Sequence, residues 1–308
     1  MSTDHISVCV CTYKRPKLLT NLLRALQKQE TEGLFSYSVV VVDNDRNESA
    51  RDTVQSLKED SAVEIEYYVE PRQNISHARN MAVEKAKGNF IAFIDDDEFP
   101  TNDWLVNLYK TQAKFNADGV LGAVLPNFEK EPPSWIRKSK IYYWALEGPI
   151  TGTVMSTGQT GNAFVMRSLV GPNTMFNPDF GLSGGGDSLF FEKLIAKGHV
   201  FVSCREAIVY EVVPPRRWQA TYLVKRKILQ GVNTARRFRI MNKSILFRLK
   251  WFGKAVLGII IYALLLFVRA PFGKGPLFKC IMQIAYFGGV LTEYAHVSII
   301  KDRSQLES

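Results

Sequence analysis

Along the first third of the chain, apolar β-branched runs alternate with stretches whose apolar residues recur at helical spacing. ISVCVCTY and SVVVVD read as strands, and RPKLLTNLLRALQKQ between them places its leucines on one helical face. VEIEYYV, HARNMAVEKAKG and NFIAFID continue the alternation. Strand and helix in turn predict an α/β unit with a largely parallel sheet. Ligands of such sheets sit outside the carboxyl ends of the strands, so residues 12–16, 43–45 and 95–98, just past three of the runs, are the ones to inspect.

The pattern changes at Val213-Pro214-Pro215. Residues 1–213 form the predicted α/β domain, 214–250 a basic helical segment, and 251–308 an apolar helical pair and tail. The first apolar stretch, 251–268, is broken only by Lys254; the second, 280–300, holds Glu293 and His296. A spanning helix needs about 20 mostly apolar residues, so both stand near the threshold. A spanning hairpin would put Arg269, Lys274 and Lys279 on the far side, against the tendency of basic loops to stay cytoplasmic. A re-entrant or in-plane pair is therefore expected, since AVLGIIIYALLLFV has no polar face to suit a soluble core helix.

Charge sharpens this division. Of the 308 residues 46% are hydrophobic and 22% charged, which argues against a disordered or fibrous chain. The net charge of +9 is unevenly spread: 22 basic residues face 27 acidic ones in 1–211, but 17 face 3 in 212–308. A basic block carrying Arg216, Arg217 and Arg226 could meet phosphates of nucleic acid or of a membrane. The apolar stretches after it favour an anionic membrane surface and no nucleic acid. Four scattered cysteines, without a histidine cluster, predict neither a zinc site nor a disulfide scaffold. The start of the chain lacks a basic leader, so cytoplasmic chemistry is expected.

Asp95, Asp96, Asp97 and Glu98 follow FIAFI directly, and four carboxylates at one strand end repel unless a cation is bound there. Asp95 and Asp97 point the same way if the backbone stays extended, which suits joint contact with Mg²⁺ or Mn²⁺. A helix N-cap is the plainer alternative, although one or two acids would serve it. No G-x-G-x-x-G follows the first strand and no P-loop occurs, so hydride-transfer and P-loop readings lose their phosphate sites. SGGGDS instead puts Asp187 at the start of the helical run LFFEKLIAKG, as either a cap or a base. Trp135, Tyr142, Tyr143 and Trp144 form an aromatic run that is a sugar-stacking lip or packs under a loop.

The ordered set VCVCTYKRP, VVVVDND, NISHARNMAVEKAKGNFIAFIDDDEFP, GNAFVMR, SGGGDSLFFEKLIAKG and VYEVVPPRR resembles family 2 glycosyltransferases of the GT-A fold, in particular the succinoglycan-type exopolysaccharide enzymes of bacteria. The resemblance implies a nucleotide-diphosphate sugar donor and a divalent metal; with the basic block and apolar pair, a membrane-associated protein on the cytoplasmic face of the inner or plasma membrane is expected. It implies donor contacts at Thr12, Tyr13, Arg15, Asp43, Asp45, Arg79, Asp95 and Asp96, a metal on Asp95 and Asp97 with Glu211 beside them, and Asp187 as base. Gly186 departs from the pattern, which usually has Glu there. One base and direct displacement imply inversion at the anomeric carbon. With the basic block they point to a lipid-linked saccharide acceptor, most simply a polyprenyl-diphosphate one, whose phosphates meet Arg216, Arg217 and Arg226. Two other readings stand beside this one: a nucleotidyltransferase acting on sugar phosphates, and a non-catalytic polysaccharide-assembly partner.

Overall fold

The computed structural model describes residues 4–139, 141–142, 148–172 and 174–295. The chain divides into two compact units: Met1–Asn127, Tyr143–Gly181 and Gly186–Val212 make the first, while Phe128–Tyr142, Leu182–Gly185 and Val213–Ser308 make the second.

The first unit is built on one sheet. Strands β1 (Asp4–Thr12), β2 (Phe35–Asp43), β3 (Glu64–Val69) and β4 (Phe90–Asp95) are parallel neighbours in the order β3-β2-β1-β4. The sheet continues through β7 (Asn162–Met166), β6 (Gly119–Phe128), β8 (Phe201–Val213) and β5 (Glu98–Pro100); β7 is antiparallel to β4 and to β6, and β5 is antiparallel to β8.

Apolar runs become parallel strands because helices cover both faces of the sheet, so every side chain on the strand needs burial. Alternate residues of β1 enter opposite cores. Ile6, Val8 and Val10 pack with Leu19, Leu22, Leu23 and Leu26 of α1 (Pro16–Leu26), whereas Cys9 packs with Ala78, Ala82 and Val83 of α3 (Ile75–Lys85). Pro16 opens α1 with its φ already helical. Asn74 opens α3 by accepting from the Ser76 and His77 amides. Helices α2 (Arg51–Glu59), α4 (Trp104–Phe115) and α6 (Gly186–Ala196) complete the unit.

The second unit is helical, with α5 (Ser134–Ser139), α7 (Ala220–Ile240), α8 (Ile245–Arg269) and α9 (Lys274–Tyr294). Its core joins Ile136, Tyr142, Val213, Leu223 and Met282, and Trp135 sets its ring edge-on to Phe278. Trp135 and Tyr142 thus follow the packing alternative rather than a sugar-stacking lip. Tyr143 and Trp144 lie outside the described residues.

The two apolar stretches differ. Helix α8, with its short extension to Phe272, is the one helix among the described residues long and apolar enough to cross a membrane, and 11% of its most apolar window is buried. It fuses the end of the basic segment to the first apolar stretch without a break. The second stretch supplies α9, which buries Cys280, Met282, Phe287 and Val290, and Glu293 there accepts from Arg236 and Arg239. The expected apolar pair is therefore one exposed helix and one packed helix, because α9 spends its apolar residues on α7 and α8. Residues 296–300 lie outside the described set.

Candidate active site at the carboxyl ends of the parallel strands

Strand β4 ends at Asp95, the chain turns through Asp96 and Asp97, and β5 starts at Glu98. The turn removes the premise that alternate residues share a side, which holds only while the backbone stays extended. Each acid finds its own surroundings. Asp96 is buried and accepts from Thr12 Oγ1 at 2.8 Å and from Arg15 Nη1 at 2.9 Å. Burial pushes its carboxyl up to about 6; Arg15 works against that rise and Asp97 adds to it. Arg15 also reaches Asp97 Oδ2 at 3.3 Å, so one guanidinium bridges the two acids of the turn.

Asp95 is half-exposed and takes Arg79 Nη2 on Oδ1 at 3.0 Å. Burial disfavours the Arg79 charge, but Asp95 and then Asp187 outweigh it and raise its pKa. Arg79 also lies over the Phe176 ring, 5.8 Å from its centroid. The cation thus stands within electrostatic reach of both the acidic turn and Asp187. Asp187 is the second residue of α6, where its Oδ1 accepts from the Ser188 amide at 2.7 Å. Gly186 before it is buried, and a side chain there would start 3.2 Å from Phe180 Cβ, so the glutamate usual at this position would be crowded.

Glu98 and Glu211 face each other across β5 and β8. Glu98 is buried, and burial first, then Asp95, with Asp97 and Glu211 adding, raises its carboxyl well above the usual range. Among the described residues no three His, Cys, Asp or Glu side chains gather into a metal-binding group. The oxygen donors of Asp95 and Asp97 do fit a hard ion that takes one or two carboxylates and completes its shell from phosphates and water.

Asp43 at the end of β2 is fully buried, and both its oxygens are engaged: Oδ1 accepts from the Asp45 amide, Oδ2 from the Ala50 amide and the Tyr67 hydroxyl. Its carboxylate holds the turn that carries Asp45, itself an acceptor from the Asn47 amide. Asp43→Ala leaves these buried donors without a partner and is expected to lower stability by about 3 kcal/mol. Chemical denaturation measures this, and an unchanged midpoint with weakened nucleotide binding would assign Asp43 to the base instead.

Thr12 is accounted for by Asp96. Tyr13 takes Lys14 over its ring, 5.1 Å from the centroid. Arg216 and Arg217 lie in a short 3₁₀ turn of the second unit, and Arg226 is exposed on α7.

Glu98 read only as the fourth acid of a run, and Thr160 not at all. Thr160 Oγ1 is buried without a hydrogen-bond partner, at a cavity of about 10 Å³ that also touches Cys11, Arg79 and Asp95. Burial raises the Cys11 thiol to about 12, so it is no nucleophile there. A roomier cavity of about 110 Å³, between Leu121, Met155 and Cys204, touches none of the acids.

The glycosyl transferase family 2 model matches residues 7–171. The succinoglycan biosynthesis protein ExoM of Rhizobium meliloti (strain 1021) is 37% identical over 236 residues, 74% of this chain and 74% of its own. The GalNAc(5)-diNAcBac-PP-undecaprenol beta-1,3-glucosyltransferase of Campylobacter jejuni is 28% identical over 95 residues, 30% of this chain and 29% of its own. Among solved structures, the mannosyltransferase PcManGT from Pyrobaculum calidifontis, in complex with GDP-Man and Mn²⁺, superposes with a TM-score of 0.64 at 18% identity over 96% of this chain and 88% of that one. S. aureus TarS gives 0.53 at 17% over 94% of this chain, which spans 55% of the TarS chain. These superpositions speak to the GT-A fold, and the family match and the ExoM identity speak to descent: the chain belongs to glycosyl transferase family 2 and is a glycosyltransferase.

Proposed function

We propose that the chain transfers a sugar, with inversion, from a nucleotide-diphosphate sugar to a lipid-linked saccharide during exopolysaccharide synthesis at a membrane surface. The observation that carries this reading is Arg79, which pairs with Asp95 and feels the charge of Asp187, so that the donor-side acids and the base share one cation. The ExoM likeness supports exopolysaccharide synthesis, and the undecaprenol in the name of the Campylobacter relative supports a lipid-linked acceptor. Family membership leaves the nucleotidyltransferase and non-catalytic readings without ground.

In this reading Thr12, Arg15 and Asp96 shape the donor side, Asp45 sits on the turn that Asp43 fixes, and Arg79 faces the diphosphate. A divalent ion held by Asp95 and Asp97 would offset the charge of the leaving nucleoside diphosphate. Asp187 takes the acceptor hydroxyl proton as that oxygen bonds to the anomeric carbon, while the bond from that carbon to the diphosphate oxygen breaks and its electron pair leaves with the nucleotide. A single displacement inverts the centre. Screening nucleotide sugars by thermal shift with Mn²⁺, then resolving the product anomer by NMR on a polyprenyl-diphosphate sugar, tests the proposal; a retained configuration sinks the inverting mechanism.

Membrane association rests on α8. Leu249, Phe252, Val256, Leu257, Ile260, Ile261, Leu264, Phe267 and Val268 are exposed along it, while Ala255 and Gly258 are buried. Basic residues near its start, Lys250 and Lys254, suit anionic headgroups, as do Arg216, Arg217 and Arg226 for lipid phosphates. Replacing Leu257 and Leu264 by Asp is expected to remove about 3 kcal/mol of insertion, roughly 10²-fold in partition. Liposome flotation reads this, with the melting temperature as a control because both side chains are already solvent-facing. A double variant that floats like the wild type would leave α8 as an ordinary surface helix.

A further inference from the structure

Glu98, the first residue of β5, turns back on the end of β4. Its Oε2 accepts from the Asp95 amide at 3.0 Å, and the side chain is almost wholly buried. On its other side lies Gly161, just before β7: a Cβ built on Gly161 would stand 2.6 Å from Glu98 Oε1 and 3.3 Å from its Cδ. No side chain fits there unless the carboxyl moves. The next backbone group is tied as well, since the Asp97 carbonyl accepts from the Val212 amide at 2.9 Å. The turn that presents Asp95, Asp96 and Asp97 is therefore clamped at both ends, by Glu98 from within and by β8 from outside.

We propose that Glu98 is a positioning residue for this reaction: with Gly161 behind it, it fixes the Asp95 to Asp97 turn so that both acids meet a divalent ion and the donor diphosphate together. The inference rests on the reading of Asp95 and Asp97 as the ion-facing acids. Glu98 is not itself a ligand in this account: its Oε2 is taken by the Asp95 amide, and its Oε1 lies on the side of Gly161. Partners that orient ligands from behind typically contribute 10- to 100-fold to metal affinity or activity.

The experiment compares Glu98→Ala, Glu98→Gln and Gly161→Ala in the full-length protein. Mn²⁺ binding is followed by loss of the free-ion EPR signal, alone and with UDP or GDP, beside turnover at saturating ion and hydrogen exchange at the Asp95 amide. Glu98→Ala is expected to raise the half-saturating Mn²⁺ concentration about 10-fold or more and to speed exchange at Asp95; Gly161→Ala follows in the same direction, and Glu98→Gln, which keeps an acceptor oxygen, stays within about threefold of wild type. An unchanged half-saturation in Glu98→Ala overturns the proposal, as does a Glu98→Gln variant as damaged as Glu98→Ala, which would make Glu98 a ligand by its charge. If the wild type binds neither ion nor ion-dependent nucleotide, the metal reading alone fails. The positioning role is then decided by exchange at Asp95 and by turnover, which Glu98→Gln must restore and Glu98→Ala must lose.

Discussion

Replacing Asp187 by Asn is expected to lower turnover by about 10²-fold or more while affinity for the nucleotide sugar persists, because in the proposed mechanism the substitution removes the general base and little else. Asn keeps an oxygen for the Ser188 amide, so the start of α6 stays capped. Arg79 loses one of two neighbouring negative charges but keeps the direct contact to Asp95 at 3.0 Å. Calorimetric titration of donor against initial transfer rates separates the two effects. Parallel losses in binding and rate would make Asp187 a cap and leave the base to be found elsewhere.

A second large effect is expected at the acidic turn. Asp97→Asn and Asp95→Asn should each cost about 10²-fold or more in transfer, since offsetting the charge of a leaving diphosphate is worth several kcal/mol in the transition state. The two variants differ in their side effects. Asp97→Asn weakens one arm of the Arg15 bridge, whose other arm to Asp96 remains. Asp95→Asn leaves the largely buried Arg79 with a neutral partner, so its melting temperature falls as well. Rates with added Mn²⁺ and with excess chelator, alongside thermal melts, check both. Full activity of either variant in chelator contradicts a role for the turn in holding an ion.

How much of this was legible beforehand follows from how far apart the partners lie along the chain. Strands β1, β2 and β4 announce themselves because burial on both faces makes them apolar throughout, and α1 and α3 because one face only is buried. Strand β5 has three residues and carries a glutamate into the core, a pattern no periodicity marks. The second unit gathers Phe128–Tyr142 and Leu182–Gly185 to the C-terminal helices, contacts made across long sequence gaps that a composition change at residue 213 does not reveal. At the site, the acids were visible as a cluster and Arg79 through family likeness. What was hidden is that Arg15 and Arg79 divide the acids between them, and that Glu98 spends its carboxyl on a backbone amide. Local repulsion among four acids argued for a cation; two arginines from α1's entry and from α3 already supply part of that charge.

Helix α8 carries its two sides as a matter of phase. Ala255 and Gly258 are turned inward, while Leu257, Ile260, Ile261 and Leu264 are turned out. With about 3.6 residues per turn, one residue inserted after Gly258 rotates everything downstream by about 100°, carrying Ile259 and Tyr262 away from Phe287 and swinging outward residues against the packed side. Four inserted residues rotate it by only about 40° and lengthen it by about 6 Å. The tolerance of this segment to change is thus periodic in length: its outward positions can drift among apolar residues, Gly258 has no room for a side chain beside Phe287, and the residue count is held by the turn of the helix.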